Sequence, residues 1–510
     1  MKDTWQKQLQ NLLNCDLKSQ FPLARSLNRK LKFFVGPTNS GKTHSAMTQL
    51  KKANSGLYLA PLRLLALEGY EDLKASNLNA TLITGEEQIF DEDAAHVCST
   101  IEMIDYDLDI DVAIIDEIQM LDDDERGWAW VNAIIGCPAK QIIMTGSVNA
   151  LDAVKKIAKY LGEELEIIKF QRKNRLHLME KYTSLKELKP HTALIAFSRT
   201  DVLRLKQKLQ KYHKVSVIYG NLSPEVRRDE ARRFREGQSD ILIATDAIAM
   251  GLNLPIKTIL FTTHRKFDGV SKRTININEI VQIAGRAGRY GFHEEGFLGA
   301  TSKDTLKHLQ KEYDKPIRTI KAPFKVKISA PQLEGLSSHI KTNSLEKVLK
   351  FFNENMYFDG PFIASNIGSM IEAAKILDKK NNLKMEEKYM LSQAPITIKS
   401  TIILQAYDSY IAAIIKNRVV RYKPSITLPK KALTYRDLLL VEDEVKKISL
   451  YLWLSFKLPE LFPDNIKASI TRASFNNFIE KSLKSNLIDD RRNNNKNPEI
   501  KKYKKYRKRF

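Results

Sequence analysis

Three groups of residues in this chain have types and spacings suited to moving a phosphoryl group. The first, Gly36-Pro37-Thr38-Asn39-Ser40-Gly41-Lys42-Thr43, fits the pattern of a phosphate-binding loop. Its glycines let the backbone N–H groups of Thr38, Asn39 and Ser40 turn toward one oxyanion. Lys42 would reach the β- and γ-phosphates and the Thr43 hydroxyl would ligate Mg2+. The second group is Asp116-Glu117, two carboxylates after the apolar run 112–115. At the carboxyl end of a buried strand they face a ligand, Asp116 to hold Mg2+ and Glu117 to orient and deprotonate the attacking water. The third is Gln282-Ile283-Ala284-Gly285-Arg286-Ala287-Gly288-Arg289, whose two arginines share one face if the segment is helical. An arginine against a γ-phosphate is worth about 10³ to 10⁵ in rate. The chemistry these groups imply is hydrolysis of a nucleoside triphosphate, ATP with Mg2+.

Such residues need a frame. The apolar run 31–35 feeds the glycine-rich loop, and a helix-compatible segment leaves it. Short β-branched runs at 56–61, 80–84, 112–116 and 141–145 alternate with amphipathic stretches such as 149–161, which predicts βα units and a parallel sheet covered on both faces. A second series at 192–197, 214–219, 240–244 and 257–261 has no phosphate loop of its own. The predicted fold is α/β, with two tandem doubly wound parallel-sheet domains and the nucleotide in the cleft between them. Arginines from the second domain would complete the site of the first, which couples hydrolysis to closure of the cleft. Beyond Pro323 the pattern turns helical at 344–352, 371–377 and 441–456, with 381–388 as a polar surface loop. The expected organisation is a short helical segment over 1–28, α/β domains over 29–172 and 173–323, a helical accessory domain over 324–488 and a basic tail over 489–510.

With 43% hydrophobic residues the 510-residue chain can bury several cores, and its formal charge of +23 favours a polyanionic partner, nucleic acid first. Residues 491–510 hold ten Lys or Arg against the single Glu499, with Tyr503 and Tyr506 placed to stack on bases. A charge block of this kind predicts disorder in the isolated protein. No apolar stretch approaches the roughly 20 residues that span a bilayer, so no membrane partner is expected. Cys15, Cys98 and Cys137 are too few and too dispersed for a disulfide framework and read as buried thiols. Residues 1–13 lack both a secretory core and an arginine- and serine-rich transit pattern, from which a bacterial cytoplasmic location is expected rather than the mitochondrial matrix.

These motifs together resemble a superfamily-two helicase, and more narrowly the suppressor-of-var family, the RNA helicase of the mitochondrial degradosome with its bacterial relatives. The likeness runs from about Leu31 to Asp464. It is carried by GPTNSGKTHSAM, APLRLLALEGYE, ITGEEQ, CSTIEM, DEIQM, ATDAIAMGLNL and QIAGRAGR, by Thr145-Gly146-Ser147, and by YLWLS and LFPD on the carboxyl side. The resemblance implies two RecA-like domains, ATP-dependent translocation 3′ to 5′ on single-stranded RNA, and an exoribonuclease partner. It implies that Gln282 acts with Arg286 and Arg289 in catalysis, and that Gly251 touches the nucleotide. Arg63, Thr100, Ser198, Arg199 and Thr245 would line the nucleic-acid groove, while Lys266, Phe267 and Lys272 would form a strand-separating hairpin. Nothing in the residues separates RNA from DNA or a hybrid as substrate, because that choice rests on contacts to the 2′-hydroxyl. An ATP-gated scaffold for a nuclease is the alternative from another class.

Overall fold

The computed structural model describes residues 13–249, 253–267, 271–288, 291–380, 382–397, 400–428 and 434–484. Gly251, Arg289, the basic tail and residues 1–12 of the expected first segment lie outside the described residues. What is described of the segment expected over 1–28 is a two-residue strand, Asn14–Cys15, paired with Tyr357–Phe358, a single turn, Lys18–Gln20, and a short helix, Pro22–Ser26.

The first sheet has eight strands. In spatial order they are Gln88–Ile89, Ala80–Ile83, His96–Thr100, Gly56–Ala60, Ile110–Ile115, Ala139–Gly146, Lys30–Val35 and Leu165–Lys169. Every neighbour is parallel except the first pair. Leu57, Tyr58, Leu59 and Ala60 are all buried, as a strand covered by helices on both faces requires. The strand before the phosphate loop and the strand before Asp116 are separated by Ala139–Gly146 alone, about two strand spacings of nearly 5 Å each. Thr145 therefore stands between the two motifs. The helix expected over 149–161 is a single turn, Val148–Ala150, running into a helix, Leu151–Leu161, that ends at left-handed Gly162.

The second sheet has six parallel strands, in the order Arg175–Leu178, Glu295–Ala300, Thr258–Phe261, Thr192–Ile195, Ile241–Ala244 and Val215–Ile218. The architecture is two tandem RecA-like parallel-sheet domains followed by a helical region. The helices are Ala330–His339, Leu345–Asn355, Gly368–Leu377, Met385–Ser392, Thr401–Ile415, Tyr435–Lys457 and Asn465–Lys484. One buried cluster runs from Leu194, Val217 and Tyr219 of the second sheet into Phe352, Tyr407, Tyr451 and Phe462 of the helices. Ile320, Phe324, Val326 and Phe362 pack instead into the core of the first domain. The helical region thus grips both sheets.

Part of the expected polar surface loop at 381–388 is the start of a helix, Met385–Ser392. Lys388 is buried because its ammonium donates to Asn343 O (2.6 Å) and Asp378 Oδ1 (3.0 Å), which lets the adjoining Tyr389 and Leu391 pack inward. Cys98 and Cys137 are free, buried thiols, both pushed well above the usual thiol range by burial. Among the described residues no helix is long and apolar enough to cross a membrane.

Candidate nucleotide site and nucleic-acid channel

The phosphate loop leaves Val35 at the carboxyl edge of the first sheet and opens the helix Lys42–Leu50. Gly41, at φ +86°, makes the left-handed turn that starts this helix, a conformation a Cβ would strain. No side chain caps the helix, so its first N–H groups face the cavity as a ready anion cradle. The Lys42 ammonium donates to Gly36 O (2.8 Å) and Pro37 O (2.6 Å) of its own loop, and burial pulls its pKa below the usual lysine range. A phosphate oxygen would replace those carbonyls.

Asp116 is held from several sides. Tyr58 Oη donates to its Oδ2 (3.0 Å); the backbone N–H of Glu117 (3.0 Å), the Thr43 hydroxyl (3.2 Å) and the Thr145 hydroxyl all reach its Oδ1. Thr43 and Asp116 thus present two hard oxygens to one point, the donor set Mg2+ prefers. The residues present fit MgATP. Glu117 adopts φ +55°, an uncommon left-handed conformation for a non-glycine residue, and its side chain turns toward the second domain. Burial and the neighbouring Asp116 push its carboxyl above the usual range, opposed by the charges of Arg286 and Lys42.

The second domain closes the site. Arg286 Nη2 lies 3.8 Å from Glu117 Oε1, while its Nε donates to Ala249 O at 3.0 Å. A cavity of about 510 Å³ is walled by the phosphate loop, Asp116, Glu117, Gln119, Thr145, Gly285 and Arg286. Gly285 is required there: a Cβ at this position would come within 2.6 Å of Thr38 Cβ across the cleft. Asn39 Nδ2 also crosses, donating to Gly288 O at 3.1 Å. Gln282 is half-buried on the helix Ile277–Ala284 and does not line the cavity, because the chain reaches the nucleotide only after that helix ends.

Three residues of the site carry no role in the sequence reading. Gln119 bonds Glu117 through its amide and accepts from Ser147 N (3.2 Å), tying the DEIQ segment to Thr145-Gly146-Ser147. Arg172 and Asn174, in the linker between domains, hold the arginine loop. Arg172 donates to Gly285 O and Ala287 O, and Asn174 to Gly288 O (3.0 Å) and His293 O (2.6 Å). A linker lacks any periodic signal.

A second cavity, about 670 Å³, opens where both α/β domains meet the helices. Arg63, Thr100 and Arg126 line it from the first domain, Asn221 and Arg227 from the second, and Lys446 and Trp453 from the helical region. Arg227 Nε is buried there without a hydrogen-bond partner among the described residues. Arg199 is placed elsewhere. Its guanidinium forms a fork with Glu442 (2.9 and 3.1 Å), and Glu442 also accepts from Tyr219 Oη (2.6 Å), so this arginine joins the second domain to the helices. Ser198 caps the helix Arg199–Leu209 and lines a separate surface cavity, and Thr245 is buried with its hydroxyl accepting from Ala247 N. Arg265–Phe267 and Lys272–Thr274 do form an antiparallel hairpin, in which Lys266 is engaged by Asp246 and Glu279.

A phosphate loop, an acidic pair one strand removed on the same sheet edge and an arginine delivered by a second parallel-sheet domain define a two-domain ATPase of the superfamily-two helicase class. Family models match in order: the DEXQ-box helicase domain of Suv3 over residues 18–170, the helicase conserved C-terminal domain over 174–291, and the SUV3 C-terminal domain over 438–485. The mitochondrial DExH-box ATP-dependent RNA helicase DExH16 of Arabidopsis thaliana is 35% identical, over 92% of this chain and 83% of its own length. The mitochondrial ATP-dependent RNA helicase SUV3 of Candida albicans is 32% identical over 93% and 70%, and that of Saccharomyces cerevisiae 33% over 87% and 63%. The chain belongs to the SUV3 family and is an ATP-hydrolysing RNA helicase. Among solved structures, S. cerevisiae Dbp5 bound to RNA and ADP BeF3 aligns with 59% of this chain and 88% of its own at 18% identity, with a TM-score of 0.43, too distant to carry an argument. The expectation of a bacterial cytoplasmic protein is corrected by the relatives, which are mitochondrial and point to that organelle.

Proposed function

We propose that this helicase translocates 3′ to 5′ on single-stranded RNA, unwinds duplexes ahead of it, and serves RNA turnover beside an exoribonuclease. The observation that carries the reading is the approach of Arg286 to within 3.8 Å of Glu117 across a cavity floored by the phosphate loop. MgATP, when bound, supplies the phosphoanhydride whose cleavage drives the cycle. Lys42 and the loop amides bind its phosphates, and Thr43 with Asp116 hold the metal. Glu117, with its pKa raised and its carboxylate oriented by Gln119, takes the proton of the attacking water. Arg286 would set its positive charge against the negative charge that develops on the γ-phosphoryl oxygens, and Arg289 is assigned the same task by the family resemblance. Gln282 and Gly251 belong to this set by resemblance alone.

The strand is assigned to the three-walled channel. Arg63, Arg126 and Arg227 offer cations to phosphates, and Trp453 gives an aromatic wall. The test compares displacement of 3′-tailed, 5′-tailed and blunt duplexes made of RNA, of DNA and of hybrids. Preference for 3′-tailed RNA is expected. Equal activity on both tails refutes the polarity, and RNA-stimulated hydrolysis without displacement of any duplex turns the reading to a scaffold.

A further inference from the structure

The segment Ile83-Thr84-Gly85-Glu86-Glu87-Gln88 takes no part in the nucleotide site. It is the turn between Ala80–Ile83 and Gln88–Ile89, closed by Thr84 Oγ1 accepting from Glu87 N at 3.0 Å. The turn delivers Glu86 to the junction of all three units. There one oxygen, Glu86 Oε2, pairs with two guanidiniums: that of Arg63 in the channel wall and that of Arg472 (2.9 Å) on the helix Asn465–Lys484. Arg472 continues to Glu225 Oε1 of the second domain at 3.3 Å. Asn476, one helical turn on, donates to Glu225 Oε2 (3.2 Å) and accepts from Ser223 Oγ (2.9 Å). The Glu86 and Arg472 side chains are each 10% exposed, and that of Arg63 is 29% exposed.

The charges at this junction do not balance. Arg63 and Arg472 face Glu86 and Glu225, and Arg227 lines the same cavity with its Nε buried and unpartnered, which leaves a further positive charge beside a channel assigned to a polyanion. A phosphate entering the channel supplies the missing negative charge, and Arg63 is the guanidinium within its reach. Two anions then compete for Arg63, and the carboxylate has a second partner waiting.

We propose that Glu86 is a positioning residue that exchanges between Arg63 and Arg472: it holds Arg63 while the channel is empty, and when a nucleic-acid phosphate takes Arg63 its charge passes to Arg472, tightening the grip of the Asn465–Lys484 helix on both α/β domains. The proposal rests on the channel's being the strand site. It makes the helix Asn465–Lys484 a sensor of strand occupancy, because among the described residues Arg472 alone pairs with carboxylates of both domains at this junction.

The test is binding of fluorescein-labelled oligouridylate without nucleotide to the full chain and to Glu86→Gln, Arg472→Gln, Arg472→Lys and the double variant Glu86→Gln/Arg472→Gln. Glu86→Gln releases Arg63 and should tighten binding about threefold to tenfold. Arg472→Gln leaves Glu86 wholly on Arg63. It should weaken binding by a similar factor and raise the RNA concentration for half-maximal ATPase stimulation, with RNA-free ATPase unchanged. Arg472→Lys should recover most of the loss, and the double variant should bind like Glu86→Gln, since the exchange has lost its carboxylate. A merely structural ion pair would move both single variants the same way. That outcome, or no change in Glu86→Gln, overturns the proposal even if Arg472→Gln folds poorly. Failure of the unaltered chain to bind oligouridylate overturns the channel reading and the proposal with it.

Discussion

Replacing Arg286 by Ala removes the one cation among the described residues that the second domain lends to the cleft beside Glu117. The 3.8 Å separation places the guanidinium beside Glu117 in the cleft. At an effective dielectric near 20, a charge pair about 4 Å apart is worth ~4 kcal/mol. At 1.36 kcal/mol per decade that is about a thousandfold in rate, the lower end of what such arginines contribute. Arg286→Lys keeps the charge but loses the fork that lets Nε and Nη2 share Ala249 O, so the ammonium is no longer aimed at the cleft. A loss of about a hundredfold is expected for it. The assay is single-turnover ATP hydrolysis at saturating oligouridylate, with nucleotide affinity measured separately. The loss should fall on the hydrolysis step, because Lys42 and the loop amides still bind the phosphates. A fall of less than tenfold in Arg286→Ala, or a loss confined to nucleotide affinity, refutes the assignment.

Two further outcomes follow from charge. Because burial raises the Glu117 carboxyl above the usual range, hydrolysis should fall as pH drops through that raised value rather than near pH 4.5, and Glu117→Gln should abolish turnover while ATP still binds. A folded-state pKa raised above the unfolded one favours the protonated form. Without nucleotide Glu117→Gln should therefore melt above the unaltered chain at neutral pH, with the gap closing as pH falls below the ordinary carboxylate range; a gap that widens would show the sign to be wrong. Removing residues 491–510 deletes ten positive charges, so RNA affinity should drop and the slope of log affinity on log salt should flatten by roughly 0.7 per lost phosphate contact. An unchanged slope would show that the tail makes no such contact.

The chemistry of the first domain is local in sequence, and its elements could be read. The glycine-rich loop must follow a strand and open a helix, and the acidic pair must end a buried strand. The strands at 56–61, 112–116 and 141–145 overlap Gly56–Ala60, Ile110–Ile115 and Ala139–Gly146. What could not be read depends on residues distant in sequence. His96–Thr100 and Leu165–Lys169 are short runs with polar members whose strand state comes from their sheet neighbours. Arg199 has the type and position of a strand contact, and only the fold reveals that Glu442, 243 residues on, has claimed it. Lys388 reads as a surface residue by composition and is buried because Asp378 meets it. The bacterial cytoplasmic location expected from residues 1–13 is overturned by the mitochondrial relatives and by nothing in the fold itself.

The interfaces also say which parts can move. The second domain and the helices share one apolar cluster and the Arg199–Glu442–Tyr219 network, whose rupture would strand a fully buried carboxylate. The two α/β domains face each other chiefly through polar links: Arg228 to Glu71 at 2.7 Å, with half-exposed side chains, Asn39 to Gly288, and Arg286 to Glu117. The exposed Arg228–Glu71 pair is worth about 1 kcal/mol or less, and the Asn39 and Arg286 links lie where a phosphate can replace them. Exchanging these polar links for phosphate opens the cleft locally, whereas parting the second domain from the helices costs an unpaired charge, and Phe324, Val326 and Phe362 stay packed in the first domain's core. The second domain and the helices that share its apolar cluster should move together about the 170–174 linker, where Arg172 and Asn174 hold the arginine loop, while Phe324, Val326 and Phe362 remain with the first domain. The channel is walled by both sides of that hinge, so a strand within it feels each opening and closing of the nucleotide cleft.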